Sequence, residues 1–245
     1  MLGSDSRVLV ITGAGISAES GIATFRGTEG YWRKLDPAKL ATPAAFVRDP
    51  ELVWQWYRER RHTIRAAKPN AAHSAIVQLA ESCPDSLLIT QNVDDLHTRA
   101  EWRGAHLHRD KVVKIHGDIF MTRCSQCTFE FSEREEDSAN IPSCPQCNAR
   151  MRPGVVWFGE PLDSTQIERV ERFLQRGSCD VVLVVGTTAM FGYIVDWARR
   201  ASGRIGELIE INPEATSLSP FATTSIRQPA GVALPALVER MLVEA

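Results

Sequence analysis

Five short apolar runs punctuate the chain: VLVIT at 8–12, SLLIT at 86–90, KVVKI at 111–115, VVLVV at 181–185 and GELIEI at 206–211. Between several of them apolar residues recur at helical spacing, around 51–66, 72–81, 165–176 and 192–201. Strands alternating with helices predict an α/β fold, with a mostly parallel sheet and helices on both faces. In such sheets ligands sit beyond the carboxyl ends of the strands. The polar clusters fall there: TGAGIS, QNVDD, HGD, GTT and NPE follow the five runs in turn. Two segments break the rhythm. Residues 28–71 carry aromatic and helical sequence with no strand, and 119–153 carry most of the cysteines. Both read as insertions into the sheet, and there is no internal repeat or low-complexity tract.

The length of 245 residues accommodates one large domain with a small inserted module. A formal charge of −2 gives no electrostatic reason to expect nucleic acid or an anionic membrane as partner. The N-terminus, MLGSDSRVLVIT, lacks the basic region and long apolar core of a signal peptide. No apolar run approaches the roughly 20 residues that span a bilayer. A cytoplasmic protein is expected, and a monomer.

Gly13, Gly15 and Ala18 satisfy G-x-G-x-x-G/A directly after the first strand run. The first glycine permits a tight turn, the second lets backbone approach a pyrophosphate, and the small third residue lets helix pack on strand. A helix start there would offer unpaired N–H groups to phosphates. Glycine turns after buried strands are common, so the motif indicates a nucleotide and leaves its fate open. Asp36, about 20 residues on where a ribose-binding acid is expected, sits before Pro37, so the usual acid is not evident.

Cys124-x2-Cys127 and Cys144-x2-Cys147, 16 residues apart, have the spacing of a four-thiolate zinc ribbon. Four thiolates leave no open position for water, so one structural Zn²⁺ is expected. A redox role is the weaker reading, since two paired motifs at this spacing need a metal to explain them. A nucleic-acid role fits poorly. The module sets Arg123, Arg134, Arg150 and Arg152 against Glu130, Glu133, Glu135, Glu136 and Asp137, the wrong balance for a phosphate backbone.

Taken together, GAGIS at 13–17, GIATFRG at 21–27, TQNVDDLH at 90–97, KIHGD at 114–118, the two C-x-x-C pairs, VVWFGE at 155–160, GTT at 186–188 and INPE at 211–214 resemble the sirtuin family of NAD-dependent protein-lysine deacylases. The pieces occur in the family's order and span nearly the whole chain. The resemblance implies a Rossmann-like domain (1–30, 72–118 and 154–245), a helical insertion with cofactor loop and acyl pocket (31–71) and a zinc-ribbon module (119–153). NAD and an acyl-lysine peptide would meet in the cleft between them. It implies that the acyl oxygen attacks C1′ of the nicotinamide ribose and expels nicotinamide. His116 then deprotonates a ribose hydroxyl, and the acyl group ends on ADP-ribose.

Taken alone, His116 at a strand end is either a satisfied core histidine or a base of suitable pKa; the resemblance selects the base. His106 and His108, in polar surroundings, read as surface residues. Gln91, Asn92 and Asp94 are turn formers by type, and the resemblance puts them at nicotinamide and ribose. It places Gly13, Ala14, Gly15, Ser17, Thr24, Phe25, Arg26, Trp32, Gly186, Thr187, Thr188, Asn212, Pro213, Glu214 and Ala230 around the cofactor, with Phe25 and Arg26 in the loop that closes over it. Val156, Trp157, Phe158 and Gly159 would line the acyl-lysine tunnel and pair with the substrate backbone by strand addition.

One helix bears on the acyl group. Along ELVWQWYRERRHTIRA, Val53, Trp56, Tyr57 and Ile64 form an apolar stripe with Arg60 in its middle. Arg58, Arg61 and Arg65 point elsewhere and read as solvated charge. A cation on an apolar face needs a carboxylate, which is either an internal Asp or Glu or an acidic acyl chain clamped by Tyr57 and Arg60. Tyr57-x-x-Arg60 matches sirtuins that remove succinyl and malonyl groups, and the small Ala23 and Thr24 fit the same pocket. The expected activity is therefore desuccinylation and demalonylation, with weaker deacetylation; a plain deacetylase or an ADP-ribosyltransferase is the alternative. The chain departs from the family in two places. Leu96–His116 is longer than usual, with Trp102 and Arg103 in it, and AMFGYIVDWA follows GTT where a proline-containing stretch is common.

Overall fold

The structure, a computed structural model, describes residues 1–24, 37–134, 137 and 139–242. The chain opens with β1 (Arg7–Thr12) and a 3-10 turn over Ala14–Ser20, then α1 (Pro37–Leu40), α2 (Pro43–Arg48), α3 (Pro50–Ala66) and α4 (Ala71–Ser82). Next come β2 (Asp85–Thr90), α5 (Leu96–Arg99), β3 (Val112–Lys114), β4 (Gly117–Cys124), β5 (Glu130–Ser132) and β6 (Met151–Val155). The last part holds α6 (Ser164–Leu174), β7 (Val181–Val185), α7 (Gly192–Ser202), β8 (Glu207–Ile211), β9 (Thr224–Ile226) and α8 (Ala230–Met241).

Six strands form one parallel sheet in the order β3-β2-β1-β7-β8-β9. Every residue of β1 and β7 is buried, because helices cover both faces. Side chains alternate along a strand, so Val8 and Val10 join the cluster with Ile76, Leu79, Leu234 and Val238 of α4 and α8. Leu9 and Ile11 join the opposite cluster with Val170, Phe173, Ile194 and Trp197 of α6 and α7. Burying each such aliphatic side chain stabilises the fold by about 1.5–3 kcal/mol. The chain leaves β1 toward β2 on one side and reaches β7 on the other, so the reversal of strand order lies between β1 and β7.

Local signals set the helix starts. Thr42 and Asp49 accept from Ala45 N and Leu52 N at the starts of α2 and α3, each followed by proline at the first helical position. Asn70 and His73 form a capping box on α4. The glycine-rich segment differs from expectation. It forms a 3-10 turn in which Ile16 and Ser17 are buried, and Ala18 is exposed, so Ala18 does not pack helix on strand. Gly13 itself is extended, at φ −128° and ψ −172°.

A second, antiparallel sheet, β5-β4-β6, occupies residues 117–155. α3 lies against it through a cluster of Trp54, Trp56, Tyr57, Ile119, Phe120, Val155 and Trp157. The arginines of α3 overturn the expectation of solvated charge. Arg61 is 0% exposed. It donates from Nε to Ile119 O at 2.6 Å, and from its two terminal nitrogens to Glu133, Asp137, Met121 O and Thr122 Oγ1 at 2.9–3.1 Å. Arg65 binds Asp137 at 2.7 Å, and Arg58 lies over the Trp54 ring. Acidic residues of the cysteine module therefore serve to dock it on α3. Among the described residues no helix is long and apolar enough to cross a membrane.

Candidate functional site

The loops after β1, β2, β3, β7 and β8 emerge at one edge of the sheet, as parallel register requires. Two glycine loops meet at the strand-order reversal, the place where doubly wound sheets hold ligands. Gly13 N donates to Val185 O at 3.1 Å and Gly15 N to Gly186 O at 2.8 Å. A Cβ at Gly13 would lie 2.6 Å from Thr187 Cβ, and one at Gly15 would lie 2.8 Å from Gly186 Cα. Gly186 has φ +62°, and a Cβ there would collide with Ile16 N and lie 2.9 Å from Gly15 Cα. The glycines thus let the two loops touch each other, a role that the motif alone does not disclose. Ala14 is half-buried beside them, and Thr188 is exposed on the far side of Thr187.

Below this contact, buried polar groups form a chain. Asn92 Nδ2 donates to Ser17 Oγ at 3.1 Å, and Ser17 Oγ donates to Asp94 Oδ2 at 3.0 Å. Asp94 Oδ1 accepts from Leu96 N, while burial pushes its carboxyl above the usual range. Gln91 Nε2 donates to Thr187 Oγ1 at 2.8 Å, tying the loop after β2 to the loop after β7. The Gln91 carbonyl faces His116 Nδ1 at 2.9 Å. A carbonyl only accepts, so Nδ1 carries the hydrogen and Nε2 of the neutral ring presents a lone pair. Burial lowers the His116 pKa, and the Gln91 carbonyl opposes that shift. The ring is a neutral base in the physiological range. His106 and His108 are exposed, as the sequence indicates.

The far end of the edge is also ordered. Asn212 Nδ2 donates to Glu214 O at 2.8 Å, and Arg227 reaches both Glu214 O and the buried Glu210 carboxylate. Pro213 and Glu214 are exposed. Ala230 begins α8, and the next amide, Gly231 N, donates to Glu19 on the 3-10 turn. The start of α8 therefore sits beside the glycine loop.

On the other flank, Val156 N donates to His116 O at 2.9 Å and Phe158 N to Ala41 O at 2.9 Å. Residues 156–158 lie beyond the end of β6 and belong to no strand. Phe158 and Gly159 are exposed, with Gly159 at φ +88°. Trp157 is buried, under the Arg152 guanidinium and beside Phe46. Its Nε1 donates to Tyr57 OH at 2.9 Å, so α3 and the VVWFGE segment share a hydrogen bond. The Arg60 guanidinium lies 4.8 Å from the Trp56 ring centroid and 5.5 Å from that of Tyr57. Burial lowers its pKa, opposed by Coulombic interaction with the Tyr57 and Asp94 side chains. Ala23 and Thr24 are half-buried. Phe25, Arg26, Trp32 and Asp36 lie outside the described residues.

The four sulfurs of Cys124, Cys127, Cys144 and Cys147 lie within 4.8 Å of one another. Gln126 N and Cys127 N both point at Cys124 Sγ at 3.3 Å, the knuckle geometry of a thiolate ligand. The donor set fits one tetrahedral zinc with every position filled by sulfur, hence a structural ion. Cys83 and Cys179 are buried and separate from the cluster.

Sequence reasoning missed one neighbour of His116. Tyr193, in the first turn of α7, places its hydroxyl 2.7 Å from His116 Nε2. The available signal was topological. α7 follows the loop after β7, whose carboxyl end opens on this same edge.

The Sir2 family model matches residues 13–191. An NAD-dependent protein deacylase of Pyrococcus abyssi is 41% identical over 249 residues, covering 98% of this chain and 95% of that protein. NAD-dependent protein deacylase 1 of Archaeoglobus fulgidus is 42% identical, covering 97% and 94%. A solved Sir2 homologue in complex with NAD superposes with a TM-score of 0.84 at 41% identity, covering 98% of this chain and 90% of the other. A Sir2 protein solved with a p53 peptide and NAD+ gives a TM-score of 0.76 at 25% identity, covering 96% and 92%. The chain belongs to the Sir2 family of NAD-dependent protein deacylases.

Proposed function

We propose that this protein removes succinyl and malonyl groups, and more weakly acetyl groups, from lysine side chains, consuming NAD and releasing nicotinamide and O-acyl-ADP-ribose. The observation that carries the acidic preference is Arg60, held on an apolar helix face against Trp56 and Tyr57, with Tyr57 joined to the Trp157 end of the site. A carboxylate at the tip of an acyl chain entering past Trp157 would meet the guanidinium and the Tyr57 hydroxyl together. Tyr57 OH accepts from Trp157 and keeps its own hydrogen to donate, and burial raises its pKa, so it stays protonated. Charge-assisted hydrogen bonds of this kind are about twice as strong as neutral ones.

The other roles follow from position. The backbone of Gly13, Ala14, Gly15, Gly186 and Thr187 receives the phosphates, and Asn212 and Ala230 stand on the adenosine side. Gln91, Asn92, Ser17 and Asp94 surround the nicotinamide ribose. His116, hydrogen on Nδ1 and lone pair on Nε2, takes a proton from that ribose after nicotinamide has left. Val156 to Gly159 would meet the peptide by strand addition, through the backbone groups left over once Val156 N has bonded His116 O and Phe158 N has bonded Ala41 O. The zinc holds the β5-β4-β6 module in shape and touches none of these steps.

A plain deacetylase is the second reading, because the charge of Asp94 reaches Arg60 and can balance it internally. The test is nicotinamide release from NAD with succinyl-, malonyl-, acetyl- and unmodified-lysine peptides. Release should require acylation and run fastest with the two acidic groups. Release fastest with acetyl-lysine establishes the second reading, and no release with any acyl peptide removes the enzymatic one.

A further inference from the structure

His116 Nδ1 is committed to the Gln91 carbonyl, so Nε2 accepts a hydrogen bond, and the Tyr193 hydroxyl at 2.7 Å is its donor. The nitrogen that must receive the substrate proton is thus already bonded to an O–H group of the protein. That hydroxyl is held in place. The Tyr193 ring stacks on Phe191 at 5.5 Å and 11°, and packs on Trp197 at 5.0 Å one helical turn further along α7. Phe191 also meets the His116 ring edge-on at 5.6 Å. A side chain in the first turn of a helix, gripped on both sides, does not swing out of the way cheaply. Tyr193 is nevertheless only half-buried.

We propose that Tyr193 is a proton relay between the substrate ribose and His116, resting on the deacylase reading above. The ribose O–H bond breaks as its proton passes to the Tyr193 oxygen. In the same step the phenolic proton passes to His116 Nε2. Tyrosine ends neutral, histidine ends as imidazolium, and the ribose oxygen gains the electron pair it needs to take the acyl group. Burial raises the Tyr193 pKa to about 12 and lowers that of His116, so at neutral pH the phenol is a donor and the imidazole an acceptor, as the relay requires.

Tyr193→Phe keeps the ring contacts and removes the oxygen. General-base transfer contributes about 10²–10⁴-fold, so loss of its relay is expected to lower kcat for acyl transfer by at least about tenfold while KM for NAD holds. Exchange of labelled nicotinamide into NAD, which depends on acyl peptide and precedes the proton transfer, should persist. In the free protein, ¹⁵N NMR should show His116 Nε2 losing its donor and the ring titrating at higher pH, since a donor to Nε2 favours the neutral ring. Wild-type turnover in Tyr193→Phe overturns the proposal. A fall in KM for NAD with kcat kept overturns it too, because the hydroxyl then only blocks the base. Loss of exchange together with acyl transfer also overturns it, as Tyr193 then acts before the base. A wild-type protein without exchange defeats the deacylase reading instead, which keeps the two failures apart.

Discussion

Arg61→Met tests how the cysteine module is attached to the rest of the molecule. Arg61 is fully buried on α3, where it donates to two backbone carbonyls, to Thr122, and to the carboxylates of Glu133 and Asp137. Methionine fills similar length without charge. It leaves Glu133, whose side chain is 6% exposed, without its buried cation, and removes a donor from each of two carbonyls of β4. Removing one partner of a buried ion pair destabilises by about 3–5 kcal/mol. In a protein of this size each kcal/mol moves the midpoint by about 2–4 °C, so a fall on the order of 10 °C is expected. Arg65→Met removes a half-buried partner of the same Asp137, and such pairs are worth about 1 kcal/mol or less. The assay is thermal unfolding of both variants at fixed, saturating zinc, because a metal-bearing protein need not unfold in two states. Glu133→Gln in the Arg61→Met background should add less than it does alone, since both report one interaction. An Arg61→Met midpoint no lower than that of Arg65→Met refutes the docking role and restores Arg61 to the solvent.

Acid should weaken the fold through a buried histidine. Burial, with Arg99 nearby, lowers His73 to about 4, so the unfolded chain binds a proton that the folded one refuses. That makes stability present above the unfolded pKa near 6.5 and lost as pH falls toward about 4, worth about 2 kcal/mol at pH 5. Urea unfolding at pH 7 and pH 5 should show a smaller loss in His73→Gln; equal losses would contradict the assignment. Gly186→Ala should abolish NAD binding in calorimetry and lower the melting temperature, because its Cβ collides with the GAG loop at a positive φ. Tight NAD binding by that variant would mean the two loops do not meet as described.

Much of this architecture is legible in the sequence, and the exceptions have physical causes. β1 and β7 are readable because both faces are covered, which makes their apolar runs continuous. The cysteine cluster is readable because knuckle spacing is local. β9 is three residues long, and α8 carries Pro235 within it, so neither shows a clear period. Arg61 misleads because helical spacing identifies one apolar stripe, whereas α3 is packed on more than one side. Its partners Glu133 and Asp137 lie 72 and 76 residues away. Tyr193 is legible only through topology for a similar reason: it meets His116 across 77 residues, through the register of strands that neither residue occupies.

The central claim is that Arg60 gives this Sir2-family site its acyl preference. The most direct test is kcat/KM for succinyl-lysine over acetyl-lysine peptides, in wild type and Arg60→Met. A hydrogen bond to a charged group contributes about 1.5–3 kcal/mol, so the ratio should favour succinyl in wild type and fall by about tenfold to a hundredfold in the variant. Acetyl turnover should fall far less. A ratio that Arg60→Met leaves unchanged would contradict the account.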